Sequence, residues 1–206
     1  PTVAVDGGPA PFTGFVREGV RHILSGWDHL AFLLSLLLPA ALLRHEGGWQ
    51  ATPDLRTALG HVLGIVTAFT LAHSLTLALA ALGWVTPASR PVEAAIAASV
   101  LLAALNNVRP VVVRRLWLVG FGFGLVHGFG FAGALTELGL PDGDRLAALL
   151  GFNAGVELGQ LLVVAAVLPL LFVLRRPRWY ARVGMPLGSL AIALVAGGWL
   201  VQRLSA

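Results

Sequence analysis

The sequence predicts an all-α, polytopic membrane protein: a bundle of six transmembrane helices with both termini on the extracytoplasmic side. Three observations lead there. The mean hydropathy is +0.83 and only 12% of the residues are charged. Several apolar runs reach about 20 residues, the length that crosses a hydrocarbon core as a helix. Between those runs the arginines gather in alternate connectors, as topology signals do. The lipid bilayer is therefore the main partner, and the net charge of +4 is read as loop placement, not as a nucleic-acid footprint. The chain has no cysteine, which excludes disulfides, thiolate metal sites and cysteine nucleophiles.

The elements follow in order from apolar runs and their breakers. Residues 1–12, "PTVAVDGGPAPF", form a polar, Gly/Pro-rich extracytoplasmic lead. It is compatible with the removal of a signal peptide or a preceding domain. The rest, 13–206, reads as one transmembrane domain. The first span runs from about Thr13 to Leu43 and the second from about Leu55 to Leu82. A shorter third, about Pro91 to Leu105, follows "TPASRP". The fourth covers about Arg114 to Leu138, the fifth about Asp144 to Leu174, and the sixth about Arg182 to Leu204.

The connectors orient these spans. Arg44 and Arg56 flank the first loop, Arg109, Arg114 and Arg115 the third, and Arg175, Arg176, Arg178 and Arg182 the fifth. The second and fourth carry only Arg90 and Arg145, the latter beside Asp142 and Asp144. Loops one, three and five are therefore expected in the cytoplasm. Arg17 and Arg21 lie on the other side, at a helix mouth near Glu18 and Asp28, where long side chains snorkel.

Polar residues inside the spans are costly and mark function. On the first helix Glu18, His22, Ser25 and His29 fall on one helical stripe, with Asp28 on its flank. In a continuous helix His22 and His29 would be roughly 10 Å apart along the axis, too far to hold one ion by themselves. Other spans are expected to contribute. "TAFTLAHSLTL" offers Thr67, Thr70, His73 and Ser74; "GFGFGLVHGFGFAG" offers His127; "GFNAGVELGQ" offers Asn153, Glu157 and Gln160. The expected metal ligands are His22, Asp28, His29, His73, His127 and Glu157, meeting in the outer half of the bundle. Glu18, Ser25, Thr70, Ser74, Glu93, Asn153 and Gln160 are expected as a surrounding layer or pathway. Asp28 has two readings, a direct ligand or the acceptor that orients a ligating imidazole. Glu93 also reads as a first-turn anion at the start of the third helix, and Glu137 as a solvated residue near an outer boundary.

Two glycine stripes make convergence feasible: Gly120, Gly124 and Gly128 on the fourth helix, and Gly151, Gly155 and Gly159 on the fifth. Small residues every fourth position let membrane helices approach closely. "FTLAHS" and "FGLVHG" form a faint internal repeat, each followed by a helix containing "VE".

Assembled in this order, the motifs resemble the HupE/UreJ family of hydrogenase and urease accessory membrane proteins, in its branch with six spans. His22, Asp28 and His29 match that family's H-x5-D-H signature. "TAFTLAHSLTL", "PVEAAIAASV", "GLVHGFGFA" and "FNAGVELGQ" follow in family order. The resemblance implies a nickel-type permease for a divalent transition metal in the bacterial cytoplasmic membrane, and the nitrogen and oxygen donors themselves suit nickel or zinc. It also implies a partner in metalloenzyme maturation, and His22, Asp28 and His29 as the metal-handling triad. The sequence departs from the nickel-permease pattern after His127-Gly128, where the nearest acid, Glu137, is far along the chain.

A second reading is an intramembrane zinc hydrolase facing outward. Three imidazoles hold zinc with an open position for water. Asp28 or Glu157 would then be the general base, with Ser74 or Asn153 steadying an oxyanion.

Overall fold

The computed structural model describes residues 12–45, 48–130 and 142–205. The polar lead through Pro11, Glu137 and the expected end of the fourth span at Leu138 lie outside them.

Two helices occupy the first expected span, α1 (Phe12–Ser25) and α2 (Trp27–Leu37). The continuous helix read from the sequence is therefore corrected: the chain bends at Gly26, whose backbone is extended (φ −79°, ψ 102°). A Cβ at this position would lie 2.8 Å from the His22 carbonyl oxygen and 2.8 Å from His29 Nδ1. Only glycine permits that approach. The apolar run up to Leu43 is likewise not all helix. α2 stops at Leu37 ahead of Pro39, which has no N–H to give the carbonyl four residues back. That carbonyl, of Ser35, accepts instead from Asn107 Nδ2 at 2.6 Å. Beyond it, β1 (Leu42–His45) and β2 (Gly48–Ala51) form an antiparallel pair with Arg44 opposite Trp49.

The second span is α3 (Leu55–Ala81), and both of its ends are built as its sequence suggests. Asp54 caps the start by accepting the Thr57 backbone N–H at 2.8 Å. At the other end Gly83 adopts φ +71°, and the Gly83 and Trp84 N–H groups return to Ala80 and Leu79 at 3.0 Å each. That is the Schellman closure, which favours glycine. α4 (Ser89–Val108), α5 (Leu116–Gly130) and α6 (Asp142–Leu174) follow. A π-helical turn at Tyr180–Gly184 then leads into α7 (Met185–Ser205).

Four segments are long and apolar enough to cross a membrane: Leu55–Ala81, Ser89–Val108, Arg145–Leu174 and Tyr180–Ser205. Trp27–Leu37 and Leu116–Gly130 are shorter apolar helices. Leu71, Leu75, Leu162, Leu170, Leu194 and Val201 all point outward, which a bilayer tolerates and water does not. The fold is thus a helical, multi-pass membrane protein.

The glycine stripes form its two closest seams. On α5, a Cβ at Gly120 would strike Ile65 at 2.8 Å, and Gly124 and Gly128 face the Phe69 and His73 backbone of α3. On α6, Gly151 and Gly155 face Phe12, Phe15 and Val16, and a Cβ at Gly159 would lie 3.0 Å from Ile23 of α1. Backbone-to-backbone contact of this kind needs residues without side chains. The connectors α2–α3, α4–α5 and α6–α7 share one end. Tyr180 donates its hydroxyl to Leu38 O at 2.6 Å, Arg175 Nε donates to Thr52 O at 3.1 Å, and Asn107 reaches both Ser35 and Ser189. That end carries the arginine-rich loops.

Candidate metal centre

The break in the helix at Gly26 lets His22 and His29 meet. Their ring centroids are 4.4 Å apart, well inside the separation a straight helix would impose. α3 supplies His73, whose ring centroid lies 6.4 Å from that of His22. One nitrogen from each of His22, His29 and His73 lies within 4.8 Å of the others. Tetrahedral bonds of 2.0–2.1 Å place ligand nitrogens about 3.3 Å apart, a contraction within reach of side-chain rotation.

The partners of two of these imidazoles fix which nitrogen faces inward. Asp28 Oδ1 accepts from the His29 backbone N–H at 3.0 Å and pairs with His29 Nδ1 at 3.1 Å. Asn153 donates its Nδ2 to Leu149 O at 2.8 Å, so its Oδ1 is the atom that meets His73 Nδ1, at 3.3 Å. Both Nδ1 atoms therefore carry the proton, and both Nε2 atoms keep a lone pair. Among the described residues, His29 Nε2 and His73 Nε2 are buried with no hydrogen-bond partner. A buried acceptor with nothing to accept is costly. An imidazole anchored through one nitrogen and bare at the other is the usual state of a metal ligand. The site fits a cation.

His127 stands on the flank. Its ring is 5.3 Å from His29 and packed against Phe32 and Phe69 at 5.2 and 5.3 Å. Ser99 donates its hydroxyl to Ile96 O at 2.7 Å, so its oxygen accepts from His127 Nε2 at 2.9 Å. The lone pair of His127 is then on Nδ1, which is buried and without a partner among the described residues. Sequence reasoning missed Ser99, because a lone serine in an alanine-rich helix carries no signal of its own. It also missed Gly26, because one glycine inside the His22–His29 motif fits a continuous helix as well as a broken one.

The remaining candidates divide. Asn153 touches His73. Thr70 donates to Gln160 Oε1 at 2.9 Å, and this buried pair links α3 to α6 one turn from His73. Glu157 is half-buried on α6 between Asn153 and Gln160 and is outside the three-imidazole cluster. Glu18 is exposed and pairs with Arg21 at 3.9 Å. Ser25 is exposed and donates back to Arg21 O at 2.7 Å. The break at Gly26 leaves Glu18, His22 and Ser25 on α1 and takes His29 off the single stripe expected for the four. Ser74 donates to the Thr70 carbonyl of its own helix at 2.7 Å. Glu93 is exposed and pairs with Arg203 at 3.4 Å. Thr67, read on the face of Thr70 and His73, is exposed.

Helices able to cross a bilayer around three imidazoles that could hold one ion define an integral membrane protein with a candidate metal site. The model of the HupE / UreJ protein family matches residues 3–203, nearly the whole chain, and the protein belongs to that family. The family is associated with accessory functions in the uptake of nickel and other metals. No curated protein and no solved structure matches the chain.

Proposed function

We propose that this protein is a permease for a divalent transition metal of the nickel or zinc type, in the bacterial cytoplasmic membrane. In this reading it crosses six times, with α1 and α2 forming one crossing. The arginine-rich end faces the cytoplasm and both termini lie outside. The polar lead, residues 1–12, precedes one transmembrane domain, and a metalloenzyme-maturation protein receives the ion.

The observation that carries the reading is the meeting of three imidazoles, His29 and His73 buried and His22 half-buried, whose nitrogens lie within 4.8 Å of one another. His22, His29 and His73 take the ion first. Asp28 and Asn153 hold two of those rings in register, so Asp28 acts as an orienting acceptor. His127 and Glu157, on α5 and α6, are the next donors, and Thr70 with Gln160 forms the floor. Glu18, Ser25, Ser74 and Glu93 have partners elsewhere and drop out of the pathway. Nitrogen donors suit nickel, zinc, copper and cobalt, and affinity alone does not select among them.

One observation favours the zinc hydrolase instead. Towards the arginine-rich end the cluster is followed by buried Phe32, Leu33, Leu37 and Phe69, an apolar plug with no ligand for an ion in transit. Transport requires α2 to move against α3; a hydrolase requires nothing of the kind. Sealed vesicles separate the two. Nickel or zinc accumulation that is lost in His29→Ala supports the permease. A tightly retained stoichiometric ion with no flux in the wild type refutes it.

A further inference from the structure

The arginine-rich end encloses a second site, far from the imidazoles. A cavity of about 470 Å³ lies between the β-hairpin and the α6–α7 connector, lined by Arg44, Trp49, Arg175, Arg176, Arg178 and Arg182 among others. Five guanidinium groups around one cavity repel one another. Among the described residues, none of the five is in an ion pair. The arrangement calls for an anion.

The cavity is also built to hold one. Arg175 is buried and its guanidinium lies 3.3 Å from the centroid of Phe172. Its Nε donates to Thr52 O at 3.1 Å, and an Nη donates to Phe172 O. A guanidinium has five N–H groups, so this one is held rigid with donors remaining. Arg44 lies over Trp49, 5.7 Å from its ring centroid. Rigid, stacked guanidinium forks match phosphate oxygens geometrically.

The setting says which phosphate. Trp49 is half-buried on the hairpin and Trp179 is exposed between Arg178 and Arg182, and tryptophan gathers at the headgroup level. Leu170 and Val173, before the connector, and Val183 and Leu187, after it, are exposed apolar residues. They offer a track for acyl chains beside the cavity. We propose that this cavity binds the phosphate of an anionic phospholipid headgroup, with the acyl chains lying along the ends of α6 and α7. Basic pockets between transmembrane helices are suited to such headgroups. The site does not depend on the metal reading.

The full chain in detergent micelles, titrated with phosphatidylglycerol, cardiolipin or phosphatidylcholine and read by native mass spectrometry, tests this. Retention of the anionic lipids over phosphatidylcholine is expected. The exposed pair Arg176→Gln/Arg178→Gln should weaken it about 30-fold, from roughly fivefold per arginine near the surface. Arg109→Gln/Arg114→Gln makes the same charge change at the same end, outside the cavity, and should leave retention unchanged. Equal loss in both pairs would reduce the effect to diffuse surface charge and overturn the proposal. So would equal retention of phosphatidylcholine, or displacement of the lipid by millimolar inorganic phosphate, which would assign the cavity to the free ion.

Discussion

Gly26→Ala is the sharpest test of the candidate metal centre, because it adds one carbon at the break between α1 and α2. The new Cβ would sit 2.8 Å from His29 Nδ1 and 2.8 Å from the His22 carbonyl oxygen. Ordinary contact begins near 3.4 Å, so the bend must open by 0.6 Å (3.4 − 2.8). The carbonyl belongs to the helix and resists, which leaves His29 and its Asp28 tether to move. A binding constellation tolerates about 0.5 Å of displacement. Damage to the groups that orient a ligand typically costs 10–100-fold in metal affinity, or about 1.4–2.7 kcal/mol. The assay is nickel and zinc affinity of the purified protein by chelator competition, with thermal unfolding measured on the same sample. Overpacking alone costs about 1–3 kcal/mol of stability. A variant that stays folded while its affinity falls into the predicted range supports the reasoning. Wild-type affinity in a folded Gly26→Ala protein would show that the bend does not set the ligand geometry.

Three further outcomes follow from the same contacts. Asn153→Leu removes the acceptor that orients His73 and, because that hydrogen bond is long at 3.3 Å, should lower metal affinity by about tenfold; calorimetric titration with zinc checks it, and an unchanged constant counts against an orienting role. Gly155→Ala puts a Cβ 2.8 Å from the Val16 carbonyl carbon and 2.9 Å from Gly19 Cα, so the α1–α6 seam should lose about 1–3 kcal/mol, seen as a lower Tm in detergent. The Thr57 backbone N–H beside Asp54 holds its carboxyl below the usual carboxylate range. Protection of the Thr57 amide in hydrogen exchange should therefore be full above the ordinary aspartate pKa of about 3.9. It should fade only as the pH falls through the lower folded value. Asp54→Ala should lack that protection at every pH.

Much of this molecule is local in origin and therefore legible along the chain. The ends of α3 at Asp54 and Gly83 and the glycine faces of α5 and α6 follow from capping chemistry, apolar run length and a four-residue repeat. Each of these is a relation among residues a few positions apart, and the hydrocarbon core enforces it because an unpaired backbone group has no water to turn to. The residue types of the metal centre were readable for the same reason, since an imidazole among leucines is conspicuous wherever it packs.

What the sequence by itself did not determine is how those types are partnered. A straight helix holds His22 and His29 two turns apart; the contact between their rings exists because the helix breaks at Gly26. Asp28 becomes an orienting acceptor, Ser99 takes the Nε2 proton of His127, and Asn107 supplies the donor that Pro39 withholds from Ser35. Glu18 and Ser25 turn away. Two of these contacts join residues 28 and 72 positions apart, and the meeting of His22 with His29 hinges on one backbone angle; no periodicity within a single helix encodes either. The composition of a membrane helix tells which groups must be satisfied, and only the packing of one helix on the next decides by whom.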